Sequence, residues 1–144
     1  MDFRLFMLYY WSAYIAVTLV AIAHTIFNWK VLKMENRTEK ISSMYDVVAY
    51  AKTIPFHPIY NIVIWPIFAY LYLSQSASGE IWGSALLVGA SWMLITVILD
   101  LIGWVLIKHP WRMTFKEMYV SYQPWITLIY ICIFVSPLIA AFLM

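Results

Sequence analysis

The stretch from Ile81 to Ile107, IWGSALLVGASWMLITVILDLIGWVLI, decides the fold of this chain. Its only charged side chain is Asp100. As a helix that rises about 1.5 Å per residue, the stretch would exceed the roughly 30 Å of hydrocarbon in a bilayer. Three other apolar stretches, at residues 5–29, 55–73 and 120–144, are also long enough to cross. The sequence therefore predicts an all-α membrane protein, a four-transmembrane-helix bundle that forms a single domain over residues 1–144.

The composition favours the same class of protein. Of the 144 residues, 65% are apolar and 11% are charged, against about 45–50% and about 25% in soluble domains. The aromatic content of 19% is typical of belts at the two membrane interfaces, although aromatic pockets inside the bundle would give the same composition. The lipid bilayer is the predicted partner. Nucleic acid is not, because the positive residues are not spread along the chain as that partner would require.

The distribution of positive charge predicts the orientation of the chain. Residues 30–54 and 108–119 follow the first and third spans, so both segments lie on one side, and the positive-inside rule assigns that side to the cytoplasm. Both termini are then outside, in a multi-pass protein of the cell membrane. The N-terminus lacks a basic region and a cleavage site, so it is expected to be retained as the first span. The two segments hold every basic residue except Arg4, namely Lys30, Lys33, Arg37, Lys40, Lys52, Lys108, Arg112 and Lys116.

Both predicted cytoplasmic segments contain an amphipathic stripe. In the first, the helical spacing predicts an interfacial amphipathic helix on the membrane surface between spans 1 and 2. In the second, it predicts an extension of the span that follows. The first stripe is Ile41, Met44, Tyr45 and Val48, and the second is Trp111, Phe115, Met118 and Tyr119.

The two halves of the chain have a similar layout, which is compatible with a weak 2+2 parallel repeat. In each half a span ends in Trp and Lys, and an amphipathic stretch and a Pro-containing aromatic span follow. Interfacial Trp and Lys would also arise without duplication. The matched residues are Trp29 and Lys33 with Trp104 and Lys108, and Met44 and Tyr45 with Met118 and Tyr119.

Two ionisable residues within the spans are the first candidates for a functional site, because such residues are costly in lipid. Asp100 lies about 12 Å inside the boundary marked by Lys108, and His24 lies about 9 Å inside the boundary marked by Lys30. Spans 1 and 3 run in the same direction. These side chains could therefore meet if the two helices are neighbours.

Further polar residues are predicted at a similar depth, and each span contributes a pair on one helical face. Two interpretations remain open: a ligand-binding or ion-coupling site, or interhelical hydrogen bonds that hold the bundle together. The additional candidates are Asn28, His57, Asn61, Thr96 and Gln123.

No cofactor is predicted. No two histidines have the helical spacing of a metal site, so a metal or haem site would need convergence of histidines from different spans. The single cysteine, Cys132, can form neither an intramolecular disulfide nor a cluster of thiolate ligands.

Three functional hypotheses follow. The preferred one is a small protein of the transport, channel or accessory-subunit type, acting as a homo-oligomer or with a larger membrane partner. The second is a membrane-embedded enzyme in which Lys108, His109 and Arg112 hold a lipid or isoprenoid head group at the cytoplasmic leaflet. The third is a non-catalytic subunit or immunity-type protein that binds a larger membrane protein. Sequence signatures of hydrolysis or phosphoryl transfer are absent.

Overall fold

The computed structural model describes residues 2–34, 43–76 and 80–144. Within these ranges the chain is helical and contains no β-strand. Two 3-10 turns, Met44–Asp46 and Ile54–Phe56, and two π-helical segments, Leu101–Leu106 and Glu117–Ser121, join or extend the α-helices. The α-helices are α1 (Phe3–Lys30), α2 (Val48–Ala51), α3 (His57–Ser76), α4 (Ile81–Asp100) and α5 (Trp125–Phe142).

The prediction of four helices able to cross a membrane is confirmed. The long apolar segments are Phe3–Lys30, Val48–Ser76, Ile81–Leu106 and Trp125–Phe142. The second begins earlier than predicted, because the short helical turns before α3 continue into it. The fourth begins later, since the turn that ends at Pro124 separates α5 from the preceding helical segment.

Close backbone contacts join α1 to α3, α3 to α5 and α5 to α4. The backbones of α4 and α5 approach closely at Gly89, where a Cβ atom would lie 2.2 Å from the carbonyl oxygen of Phe134. Only a residue without a side chain fits there. In contrast, α1 and α4 have few close backbone contacts and meet mainly through side chains.

The end of the bundle that holds Lys30, Lys52 and Lys108 is named the basic end. There the first connecting segment differs from the predicted surface helix. Its described part contains the 3-10 turn Met44–Asp46 and the four-residue helix α2. Val47 between them is extended, so the predicted helix is interrupted there. Ile41 lies outside the described residues, as do Arg37 and Lys40.

The first connecting segment packs against the second at the basic end. Ser43 donates to Glu117 Oε1 at 2.8 Å, and the Tyr45 hydroxyl donates to the carbonyl oxygen of Ser121 at 2.9 Å. Each segment begins its helical turn with a reciprocal cap, one formed by Ser43 with Asp46 and one by Thr114 with Glu117. The predicted stripe residue Tyr45 therefore contacts the protein itself.

Aromatic side chains fill the centre of the bundle toward the opposite end. Tyr10, Trp65 and Trp92 pack with ring centroids between 5.4 and 6.3 Å apart, and all three are buried. We call these three residues the aromatic plug. Other aromatic residues, including Trp29 and Trp82, are exposed at the helix ends. Aromatic residues inside the bundle therefore account for part of the aromatic content, and the exposed ones lie at helix ends, where interfacial belts are expected.

Candidate functional site

A half-enclosed cavity of about 350 Å³ lies between the spans on the basic-end side of the aromatic plug. All four spans and both connecting segments contribute to its walls. We call it the basic-end cavity. Four of the polar residues predicted from the sequence line it: His57, Asn61, Thr96 and Asp100.

Asp100 is the charged residue of the cavity wall. Tyr14 of α1 donates to its Oδ1 at 3.0 Å, and Tyr130 of α5 donates to its Oδ2 at 3.1 Å. The side chain is 7% exposed. Acceptance at both oxygens is the pattern that suits an ionised carboxylate, which has no hydrogen to donate. We call Tyr14, Asp100 and Tyr130 the carboxylate cluster.

A second hydroxyl contact joins α1 and α4, one turn away from Tyr14 and Asp100. The Thr96 hydroxyl donates to the carbonyl oxygen of Trp92 at 2.8 Å, so it must accept from the Tyr10 hydroxyl, which lies at 3.0 Å. Because Tyr10 and Tyr14 are one turn apart, as are Thr96 and Asp100, the two contacts repeat with the same register. These contacts set the depth of α1 relative to α4.

His57 lies on the wall contributed by α3, and its hydrogen-bond partners select one tautomer of the neutral ring. The Thr53 hydroxyl donates to the carbonyl oxygen of Tyr50 at 2.7 Å, so it accepts from His57 Nε2 at 3.0 Å. The other ring nitrogen, Nδ1, then accepts from the Tyr122 hydroxyl. Burial raises the pKa of Tyr122 well above its usual value, which keeps that hydroxyl protonated and able to donate. A neutral imidazole with its hydrogen on Nε2 satisfies all three groups.

Asn61 lies one turn from His57 on the same wall. Its Nδ2 donates to the carbonyl oxygen of His57 at 2.8 Å, and its Oδ1 accepts from Trp65 Nε1 at 2.7 Å. Both partners belong to α3, so these two hydrogen bonds hold the Asn61 side chain against its own helix. Its amide orients the Trp65 indole at the base of the aromatic plug.

The rest of the cavity surface is mainly apolar. Branched side chains of α5 form one wall, and three methionines from the connecting segments form the floor at the basic end. No Lys or Arg is among the described residues that line the cavity. The wall residues of α5 are Ile126, Ile129 and Ile133, and the floor residues are Met44, Met113 and Met118.

Part of the cavity wall, on α1 and on the segment that follows α4, is also exposed on the outer surface of the bundle. Ile22 and Ile26 of α1 and Trp111 of the second connecting segment line the cavity and are also exposed on the outer surface, at 45%, 50% and 61%. Because the outer surface of a membrane span faces hydrocarbon, the exposed parts of Ile22 and Ile26 would face the bilayer.

Three predicted site residues lie elsewhere. His24 contacts the Tyr60 hydroxyl through Nδ1, so it faces α3 and makes no hydrogen bond with Asp100. Asn28 is buried and donates to the carbonyl oxygen of Ala49 at 3.0 Å, which ties α1 to α2. Gln123 is exposed and accepts from the Thr127 hydroxyl. None of the three lines the cavity.

The predicted head-group residues lie at the basic end. Lys108 and Arg112 are exposed. His109 accepts from the backbone N–H of Trp111 at 3.1 Å through Nδ1, so its Nε2 carries the hydrogen that reaches the carbonyl oxygen of Gly103 at 2.8 Å. Both ring nitrogens are thus engaged in holding the turn after α4.

The residues missed from the sequence are the tyrosines of the carboxylate cluster, Tyr14 and Tyr130, and the Tyr122 partner of His57. A usable signal was present for Tyr14. Tyr10 and Tyr14 are one turn apart, as are Thr96 and Asp100, and parallel helices can match such pairs. Tyr130 and Tyr122 carry no comparable pattern.

Among the residues of the three described ranges, no group of three or more His, Cys, Asp or Glu side chains is placed to hold a metal ion. No family model, curated protein or solved structure matches this chain.

Proposed function

We propose that this chain is a membrane-embedded binding protein of the transport or accessory-subunit kind, which takes a lipophilic small molecule into the basic-end cavity. The observation that carries the proposal is the cavity itself. Its volume of about 350 Å³ falls in the range of about 300–1,000 Å³ of small-molecule sites, and such sites combine apolar walls with a few polar groups. The buried side chains of His57, Asn61, Thr96 and Asp100 supply those groups.

The exposed part of the cavity wall supports a ligand that arrives through the membrane. The exposed side chains at the rim, Ile22, Ile26 and Trp111, are apolar. A molecule dissolved in the bilayer could enter without crossing a charged surface. On the far side, the aromatic plug separates the cavity from the opposite end of the bundle. A binding pocket therefore has more support than a continuous channel.

We further propose that the basic end faces the cytoplasm, with both termini outside, as the distribution of Lys and Arg predicts. Transport would require a second opening of the cavity, which a homo-oligomer or a larger membrane partner could provide. The pairing of α1 with α3 and of α4 with α5, together with the cap in each connecting segment, supports the weak repeat.

The enzyme hypothesis has less support. His109 would have to contact a head group while both of its ring nitrogens hold the local backbone. Lys108 and Arg112 are exposed, and exposed basic residues at a helix end are the ordinary topology signal.

Carbene labelling tests the proposed function. The purified chain in bilayers is irradiated with the lipid-soluble photoprobe trifluoromethyl-(iodophenyl)diazirine, and labelled residues are mapped by mass spectrometry. We expect labelling of Ile126 and Ile129, which are buried but line the cavity. Leu73 and Val88, which are buried elsewhere, should remain unlabelled.

A matched pair of variants separates the cavity from the lipid-facing surface. Ala21 lines the cavity, whereas Ala23 of the same helix is exposed and does not. Ala21→Trp should fill the cavity and abolish labelling of Ile129, and Ala23→Trp should leave it unchanged. If the probe labels only lipid-facing residues in the unaltered chain, the proposed function is wrong.

A further inference from the structure

The charge distribution inside the basic-end cavity points to the class of its ligand. Asp100 is the only Asp or Glu among the described residues that line it, and no Lys or Arg accompanies it there. The other titratable groups of the wall, such as His57 and Tyr14, are neutral in the hydrogen-bonding arrangement described above. Among the residues that the structure describes, the wall therefore carries one formal negative charge and no positive partner.

A buried charge is costly unless it is paired, and hydrogen bonds from two neutral phenols offset only part of that cost. The phenols of Tyr14 and Tyr130 orient the carboxylate. They supply no positive charge. A cation that entered the cavity would complete the pairing.

The aromatic side chains of the wall suit the same kind of ligand. The faces of Tyr and Trp rings attract a cation through the ring quadrupole, most strongly where water is excluded. Organic cations with apolar substituents also match the isoleucine wall and the apolar side chains exposed at the rim. The aromatic residues that line the cavity are Tyr14, Tyr50, Trp65, Trp104, Trp111 and Tyr122.

We infer that the ligand of the basic-end cavity is a lipophilic organic cation, for which Asp100 is the counter-ion and the surrounding aromatic rings form the cage. This inference rests on the proposed function and specifies its ligand class. The described Lys and Arg residues of the basic end do not line the cavity. They would disfavour approach of a cation from the water on that side, which is a further reason for entry from the bilayer.

The test compares two ligands of one shape and different charge. The ligands are tritiated methyltriphenylphosphonium and its isosteric hydrocarbon, 1,1,1-triphenylethane. Each is bound to the purified full chain in detergent micelles, and its affinity is measured by equilibrium dialysis. We expect the cation to bind at least about tenfold more tightly than the hydrocarbon.

Substitution of the carboxylate provides the second measurement. Asp100→Asn should lower the affinity for the phosphonium by about 30-fold, as expected when one member of a buried charge pair is removed. It should leave the affinity for triphenylethane nearly unchanged. Glu80→Gln is the control, because Glu80 is an exposed acid at the opposite end of α4 and does not line the cavity.

Equal binding of the two ligands by the unaltered chain would overturn the inference, and so would a preference for the cation that survives Asp100→Asn. If the Asp100→Asn variant does not fold, the ratio of the two ligand affinities in the unaltered chain is the deciding measurement. If carbene labels the cavity but the chain does not prefer the phosphonium, the ligand is not a cation and the proposed function still holds. Absence of cavity labelling would refute the proposed function itself.

Discussion

Tyr14 of α1 donates to Asp100 of α4 at 3.0 Å, and one turn away Tyr10 meets Thr96 at the same distance. Two parallel helices with few close backbone contacts are thus held in register by hydroxyl groups. This arrangement differs from the contact between α4 and α5, where Gly89 allows the backbones to touch. The bundle therefore has one side joined by backbone packing and another joined by polar side chains.

Removal of either tyrosine hydroxyl from the carboxylate cluster should destabilise the protein. A hydrogen bond to a charged group contributes about 1.5–3 kcal/mol, and its loss leaves a buried carboxylate oxygen without that donor. We expect Tyr14→Phe and Tyr130→Phe each to lower the free energy of unfolding by about this amount. Thermal unfolding in detergent is the measurement. Tyr70→Phe is the control, because the Tyr70 ring is exposed on α3, and a Tm for Tyr14→Phe no lower than that of the control would contradict the prediction.

Gly89 should not tolerate any side chain. The Cβ of Gly89→Ala would lie 2.2 Å from the carbonyl oxygen of Phe134, so α4 and α5 would have to move apart. Overpacking of this kind costs about 1–3 kcal/mol, more than the roughly 1 kcal/mol by which Ala exceeds Gly in helix propensity. We expect a lower Tm. Gly103→Ala, whose added Cβ meets nothing within 4 Å, should change the Tm little; similar losses for both variants would rule out the proposed contact.

Asn28 should affect stability and not ligand affinity. Asn28→Leu removes the hydrogen bond to Ala49 and leaves a buried carbonyl oxygen without that donor, at a cost of about 1–3 kcal/mol. Because Asn28 does not line the cavity, the affinity for methyltriphenylphosphonium should be unchanged in the folded fraction. Asn61→Leu, at the cavity wall, should alter both quantities. A large loss of affinity in Asn28→Leu alone would contradict this assignment.

The hydrogen-bond partners of two histidines fix the position of the ring hydrogen. His57 and His109 should both be neutral with the hydrogen on Nε2, since Nδ1 accepts from Tyr122 in one case and from the backbone of Trp111 in the other. Nitrogen-15 chemical shifts of histidine-labelled protein in bilayers would report the tautomer. His24→Gln removes the third signal for assignment. A hydrogen on Nδ1 of either residue would show that these partners are wrong.

Cysteine accessibility tests the proposed orientation. In a Cys132→Ala background, Glu80→Cys and Lys108→Cys place single thiols at exposed positions at opposite ends of the bundle. A membrane-impermeant maleimide added to intact cells should label Glu80→Cys. Lys108→Cys should react only after permeabilisation. The reverse pattern would place the basic end outside the cell.

The positions of the four spans followed from the sequence because hydropathy and length suffice to identify them. The helix faces that point into the bundle could not be identified in this way. In α1, apolar residues surround the helix on all sides, since lipid is as apolar as the core and no polar face marks the outer surface. The depth of Asp100 was therefore predictable, whereas its orientation toward Tyr14 and Tyr130 was not.

For the same reason, the sequence pairs His24 with Asp100 by depth alone. His24 faces Tyr60 of α3, and Asp100 faces tyrosines of α1 and α5. Tyrosine is ambiguous in a membrane sequence, because an amphipathic ring is equally typical of an interface and of a buried hydrogen bond.

The three methionines below Asp100 differ from the carboxylate cluster in how they can respond to a bound molecule. Met44, Met113 and Met118 have unbranched thioether side chains, which adopt new rotamers at little cost. The tyrosine hydroxyls, by contrast, hold the carboxylate in one position. Such a site would select strongly for the electrical charge of a ligand and weakly for its shape, so a single chain could bind a range of chemically related compounds.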